Sequence, residues 1–182
     1  MNSFLPQGYE VPKAPSNYLK FEDGQNRFRA LSNPVFGFVY WNSEGKPIRS
    51  ATPFETTPAD IRVENGKQDR IKHFWALVVW NYSDARVQIL EITQSSIQEQ
   101  ISDLVANKDW GDPKEYDITI TKKGQKLDTE YTVQPSPQKP VPVEAHKAYR
   151  EIKIDLEALF RGADPFAGGA VVDTPEPIVS PF

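Results

Sequence analysis

Aromatic rings and cations spaced along strand-like segments are the chemistry this sequence offers. The run KHFWALVVWNY, residues 72–82, sets Phe74, Trp75, Trp80 and Tyr82 around an apolar centre. Side chains alternate faces along a strand. Trp75 therefore shares a face with His73, Leu77, Val79 and Asn81, while Phe74, Trp80 and Tyr82 share the other with Lys72, Ala76 and Val78. One face is enough to build a core, and the sequence does not choose between the two. Either way, at least one large ring is left for the outer surface. A bare ring on a sheet stacks a nucleobase of any identity, at about 1–3 kcal/mol per base. The competing expectation is that residues 42–70 or a C-terminal helix cover the outer rings.

Cations supply the other half of such a site. Arg27 and Arg29 lie two residues apart on one strand face, and Lys46 and Arg49 sit beside Tyr40 and Trp41. Lys72 and Arg86 lie on a hairpin, and Lys122, Lys123 and Lys126 crowd one turn. Singly, each is an ordinary solvated charge. Gathered at the rim of one sheet they would track a phosphate backbone, with a salt dependence of about 0.7 log units per phosphate neutralised on a single strand. Beyond Arg161 no basic residue remains, and the chain closes on Asp164, Asp173, Glu176 and Ser180-Pro181-Phe182. Pro181 and Phe182 are candidates to dock in a partner's pocket, with the carboxylate meeting a basic residue. The plainer expectation is an unstructured end.

Enzyme signatures are missing: no Walker A sequence, GxGxxG, GxSxG or HExxH is present. Asp109, Asp112 and Asp117 are the best carboxylate set for Mg²⁺, but Asp112-Pro113 reads as a turn and the others as surface groups. With no cysteine and only His73 and His146, thiol catalysis, disulfides and Cys-based zinc sites are excluded. The expectation is a non-catalytic protein with no metal and no cofactor.

Strands must position these rings. Residues 26–41 read as one long strand, broken or bent at Asn33-Pro34 and Gly37, and 43–69 as a long polar loop. Residues 71–82 and 85–93 form a hairpin. Residues 95–110 form a helix, with Ser95 and Gln98 at capping-box spacing and an apolar stripe of Ile97, Ile101, Leu104 and Val105. Two further strands follow: one alternates Tyr116, Ile118 and Ile120 against Asp117, Thr119 and Thr121, and the other carries Leu127, Tyr131 and Val133 on one side. This order is that of a mainly β, five-stranded OB-fold, a Greek-key barrel with one helix between strands three and four. Its two ligand-flanking loops would be residues 42–70 and 122–126.

Three zones follow: a flexible arm at 1–16, the OB domain at 17–135, and at 136–182 a proline-rich linker, a short helix within 144–160 and a flexible acidic tail. The hydrophobic fraction of 38% lies below the globular norm of about 45–50%, and the polar ends account for it. Net charge is −4, so a basic groove would have to be local. No apolar run reaches the length of about 18 residues needed for a membrane span. The N-terminus has no secretory pattern. A soluble protein of the cytoplasm is expected, and further copies of the chain stay open as partners.

The segments NYLKFEDGQNRFRALSNPVFGFVYW, IKHFWALVVWNYSDARVQILEITQSSIQEQI and WGDPKEYDITITKKGQKLDTEYTV resemble the single-stranded DNA-binding proteins of tailed bacteriophages and prophages. The likeness spans about residues 17–135. It implies an OB-fold that coats single-stranded DNA in replication and recombination within the bacterial host. It gives a role to the aromatic and basic positions of the OB face but no contact list. From the residues themselves, the expected stacking set is Tyr40, Trp41, Phe74, Trp75, Trp80 and Tyr82, and the expected phosphate contacts are Arg27, Arg29, Lys46, Arg49, Lys72, Arg86, Lys122 and Lys123. The Pro-Phe ending is similar to the partner-docking tip of bacterial single-stranded DNA-binding proteins, without their run of aspartates. The zinc site of some phage relatives is not carried over, for want of cysteine. The alternatives are a β-barrel module for protein interaction or virion association, an oligosaccharide-binding OB module, and a Mg²⁺ nuclease.

Overall fold

A computed structural model describes residues 16–167, together with residues 4, 7 and 9. The stretch expected as one strand, broken or bent, is broken and forms two. β1 (Gly24–Ala30) and β2 (Val35–Trp41) lie end to end along one edge of β6 (Lys72–Asn81). Pro34 has no N–H for the ladder, and Ser32 bridges the gap. The Val78 N–H donates to Ser32 Oγ at 2.9 Å, and the Leu31 N–H donates to the Val78 carbonyl at 2.8 Å. Gly37 is not a break. It lies within β2 opposite Phe74, where a Cβ would come 2.5 Å from the Ser50 carbonyl oxygen and 2.6 Å from the Phe160 ring.

The long loop carries structure of its own. It contains β3 (Pro47–Ser50), paired with β2, and a small hairpin of β4 (Val63–Glu64) and β5 (Lys67–Gln68). β7 (Arg86–Ile92) takes the second edge of β6. β8 (Asp117–Lys123) takes the free edge of β1, and β9 (Glu130–Pro135) pairs with β8. All these pairings are antiparallel. Among the described residues no pairing joins β7 to β9, so the sheet is open there and the expected closed barrel is not formed. Residues 17–21 fill that seam. The Leu19 N–H donates to the Ile89 carbonyl and the Ile89 N–H to the Asn17 carbonyl, both at 2.9 Å, in a parallel bridge. Phe21 reaches across to Tyr131, ring centroids 5.8 Å apart.

α1 (Ser95–Ala106) sits between β7 and β8 in the chain and buries Ile97 and Ile101. The capping box does not form. Gln94 holds the N-cap position, and the Gln98 amide instead donates to the Ile92 carbonyl at 2.9 Å. Val105, at the far edge of the apolar stripe, is exposed. Leu127, expected inside the last strand, lies in the turn before β9 and is fully exposed. No helix among the described residues is long and apolar enough to cross a membrane.

β6 is buried on both faces, which is why its apolar run is continuous rather than alternating. One face, with Leu77 and Val79, joins Phe28, Ile92, Ile97, Tyr116, Ile118 and Ile120 in the main core. The other face, with Phe74, Ala76, Val78 and Trp80, lies under the chain beyond residue 140. There the single helical pattern expected over 144–160 is divided. α2 (Val143–Glu151) is followed by extended residues 152–155 and a 3-10 turn over Leu156–Arg161. The division follows from IKID, which alternates half-buried Ile152 and Ile154 with exposed Lys153 and Asp155 at the period of a strand. Asp155 then caps the turn by accepting the Glu157 N–H at 3.1 Å.

Candidate nucleic-acid interface

The cover over β6 and β7 stops short of the Trp41 end. Register sets Lys72, Val39 and Arg49 side by side across β6, β2 and β3, with Trp41 beside Pro47 at the end of β2. Beyond them a groove of about 590 Å³ runs to the ends of β8 and β9. Trp41, Arg49, Lys20, Phe21, Lys122 and Tyr131 line it. Trp41 is 40% exposed. The Arg62 guanidinium lies over its ring, 5.6 Å from the centroid, and is itself held by Asp69 at 2.7 Å. Arg49 is paired with Glu91 at 2.7 Å, and its Nε has no partner among the described residues. Lys20 and Lys122 make no ion pair with any described residue, so the groove keeps free positive charge beside its rings.

The groove therefore gathers three of the sequence-derived candidates, Trp41, Arg49 and Lys122, with Lys72 at its margin. It adds Lys20, Phe21 and Tyr131, with Arg62 over the Trp41 ring. Phe21 drew no notice in the sequence, and Tyr131 read only as one face of the last strand, because their neighbours across the seam could not be known.

The other candidates are elsewhere. Phe74 is fully buried against Phe160, and Trp80 lies beneath α2, so neither offers a face to a base in this conformation. Tyr40 is buried by the 43–69 segment, where its hydroxyl donates to Asp60 at 2.9 Å and its ring meets Phe54. Trp75 points the opposite way from the groove. It packs edge-on against Phe36 at 5.8 Å beside an apolar cleft of about 780 Å³ under α1. Lys46 is a solvated charge paired with Glu44 in a turn. Arg86 lines a separate recess with Glu22, Asp23 and Asp84. Lys123 is exposed on β8 opposite Glu130. Pro181 and Phe182 lie outside the described residues, as does most of the arm at 1–16.

Arg27, Arg29 and Tyr82 belong to a charged cluster the sequence did not announce. Asp117, expected on a solvated strand face, is fully buried. Arg29, also fully buried, donates from Nε to Asp117 Oδ1 at 2.8 Å and from Nη1 to the Lys139 carbonyl at 3.0 Å. Arg27 donates from Nε to Asp117 Oδ2 at 3.0 Å, the Lys139 ammonium lies 3.1 Å from the same oxygen, and the Tyr82 hydroxyl donates to Oδ1 at 2.8 Å. Burial pushes the Asp117 carboxyl up. The hydrogen bonds from Tyr82, Arg27 and Lys139 and the Arg29 charge outweigh it, so the group sits below the ordinary carboxylate range. Burial and the hydrogen bond to Asp117 push the Tyr82 phenol up to about 12. Asp117 is enclosed by cations, so its carboxylate is taken and does not join Asp109 and Asp112 as a ligand. No group of three or more His, Asp or Glu among the described residues is placed to hold one.

No family model matches the sequence, and no solved structure matches it. Among curated proteins, the chain is 29% identical over 144 residues to a "Probable ssDNA-binding protein" of Escherichia phage T5. The match covers 64% of this chain and 54% of that relative. The chain thus spans about half the length of the curated relative it matches.

Proposed function

We propose that this protein binds single-stranded DNA without catalysis and largely without regard to sequence, by stacking bases in the groove beside Trp41 and holding phosphates with Lys20, Arg49, Lys72 and Lys122. The observation that carries the reading is the convergence of Trp41 and Arg49 from one end of the sheet with Lys122 and Tyr131 from the other. Residues distant in sequence line a single groove of rings and cations. The likeness to the phage protein named as a probable ssDNA-binding protein supports it. So does the strand order, in which β1 and β2 act as one bent strand flanked by β6 and β8, as in an OB-fold whose seam is filled by residues 17–21. In this reading residues 17–135 form the binding domain. Coating of DNA in replication and recombination in the bacterial host, and recruitment of partners through Pro181 and Phe182, are part of the same proposal.

Tryptophan fluorescence with added oligo-dT tests it. Quenching that weakens with salt is expected, carried by Trp41. Trp41→Ala should lower affinity by about 1–3 kcal/mol. Trp80→Ala should instead cost about 3–5 kcal/mol of folding stability, as for a large buried ring. An unquenched spectrum at micromolar protein and low salt would sink the reading. A second reading, a module that docks another protein, rests on a different observation: the apolar cleft under α1 has Phe36 and Val105 exposed at its margin. It predicts a stable hetero-complex lost on Phe36→Asp and no oligo-dT binding.

A further inference from the structure

The cluster around Asp117 carries more positive charge than its fold requires. Arg27, Arg29 and Lys139 share one carboxylate, which leaves two positive charges uncompensated. Glu115 stands near Lys139 along the same recess, but its carboxylate takes a hydrogen bond from Gln138 rather than from these cations. The cluster is short of acceptors as well as of charge: Arg29 Nη2 is buried with no partner among the described residues. Burying cations costs several kcal/mol per ion unless they are matched, so an unmatched excess is not a device for stability. Nor is it wholly interior. The side chains of Arg27 and Lys139 remain 44% and 45% exposed. Both stand over the ring of Tyr82, at 4.9 Å and 5.9 Å from its centroid.

We infer that Arg27 and Lys139, oriented by Asp117 and spaced by Tyr82, form a second phosphate-binding subsite, on the outer face of β1 and β8, for the backbone of a bound nucleic acid strand. The inference rests on the single-stranded DNA reading above and extends it to a surface outside the groove. Asp117 positions the two cations and does not touch the ligand. The ligand group is a phosphodiester, whose negative charge and acceptor oxygens meet the exposed Arg27 and Lys139 and not the buried Arg29. Lys139 comes from the segment following β9, so the site needs the chain beyond residue 135 to be complete.

The test uses the full-length protein and oligo-dT, with affinity measured across a salt series. Arg27→Gln and Lys139→Gln should each flatten the slope of log affinity against log salt by about 0.7, the value for one phosphate on a single strand. Lys147→Gln, at an exposed position of α2, should not change it. Thermal melting checks that each variant folds. In a parallel measurement on the unaltered protein, oligo-dT should protect Lys139 but not Lys147 from acetylation. Slopes that coincide in folded variants, or protection of Lys139 by inorganic phosphate at matched ionic strength but not by oligo-dT, overturn the inference while leaving the groove intact. If the unaltered protein does not bind oligo-dT at all, the proposed function falls and this subsite falls with it.

Discussion

Asp117 shows how far a single residue's role depends on what surrounds it. In the sequence it alternates with Ile118 as any solvent-facing strand position would. In the fold it is the acceptor for two arginines, a lysine and a tyrosine. The linkage has a definite sign. The Asp117 carboxyl is depressed in the folded state, so the stability it contributes is fully present above its unfolded value of about 3.9 and is lost as pH falls through the folded value. Tyr82 acts in the opposite window. Its phenol is raised to about 12, so its contribution holds below the unfolded value of about 10 and is lost as pH rises toward 12. Urea unfolding across pH should show both losses. Tyr82→Phe should remove part of the alkaline one and shrink the acid one without abolishing it, since Asp117 loses the Tyr82 hydrogen bond but keeps its three cations. An alkaline limb identical in Tyr82→Phe would show that the phenol is not held in this bond.

At the scale of elements, the decisive contact is between β2 and the 3-10 turn at 156–161. Gly37 is buried in β2 with the Ser50 main chain on one side and Phe160 on the other. Its backbone conformation is ordinary for a strand, so the glycine is required by space. Gly37→Ala should cost about 1–3 kcal/mol, the usual range for overpacking, read from the urea midpoint. Combining it with Phe160→Ala should cost less than the sum of the two, because the substitutions share one contact. Full additivity would mean that the turn does not sit on β2 as described.

For the whole molecule, the covering of β6 and β7 decides what kind of protein this is. Trp80, Val78, Ala76 and Phe74 are sealed by residues 141–166, with Ala145 and Leu159 as the innermost contacts. A chain ending at residue 135 would bare that face, a patch large enough to drive association. Such a fragment is expected to bind a hydrophobic dye and sediment as oligomers, whereas the full chain does not. A 17–135 fragment that melts cooperatively as a monomer would show the C-terminal segment to be a dispensable cover. If the proposed function holds, the surface left for nucleic acid is then the groove at the Trp41 end, together with the polar outer face of β1 and β8.

The sequence by itself determined a mainly β fold and most of its local elements. Alternation, turn residues and apolar stripes are local, so the hairpin of β6 and β7, helix α1 and the paired strands β8 and β9 were legible, as was the break near Pro34. It also placed Trp41, Arg49 and Lys122 among the candidates for one site. Only the tertiary structure decided which rings are bare. Burial is a property of contacts between segments far apart in the chain, and no pattern within residues 72–82 could reveal that residues 141–166 return to cover Phe74 and Trp80. For the same reason the ionic cluster stayed hidden: Arg29, Tyr82, Asp117 and Lys139 stand on four separate segments, and only folding brings them to one carboxylate.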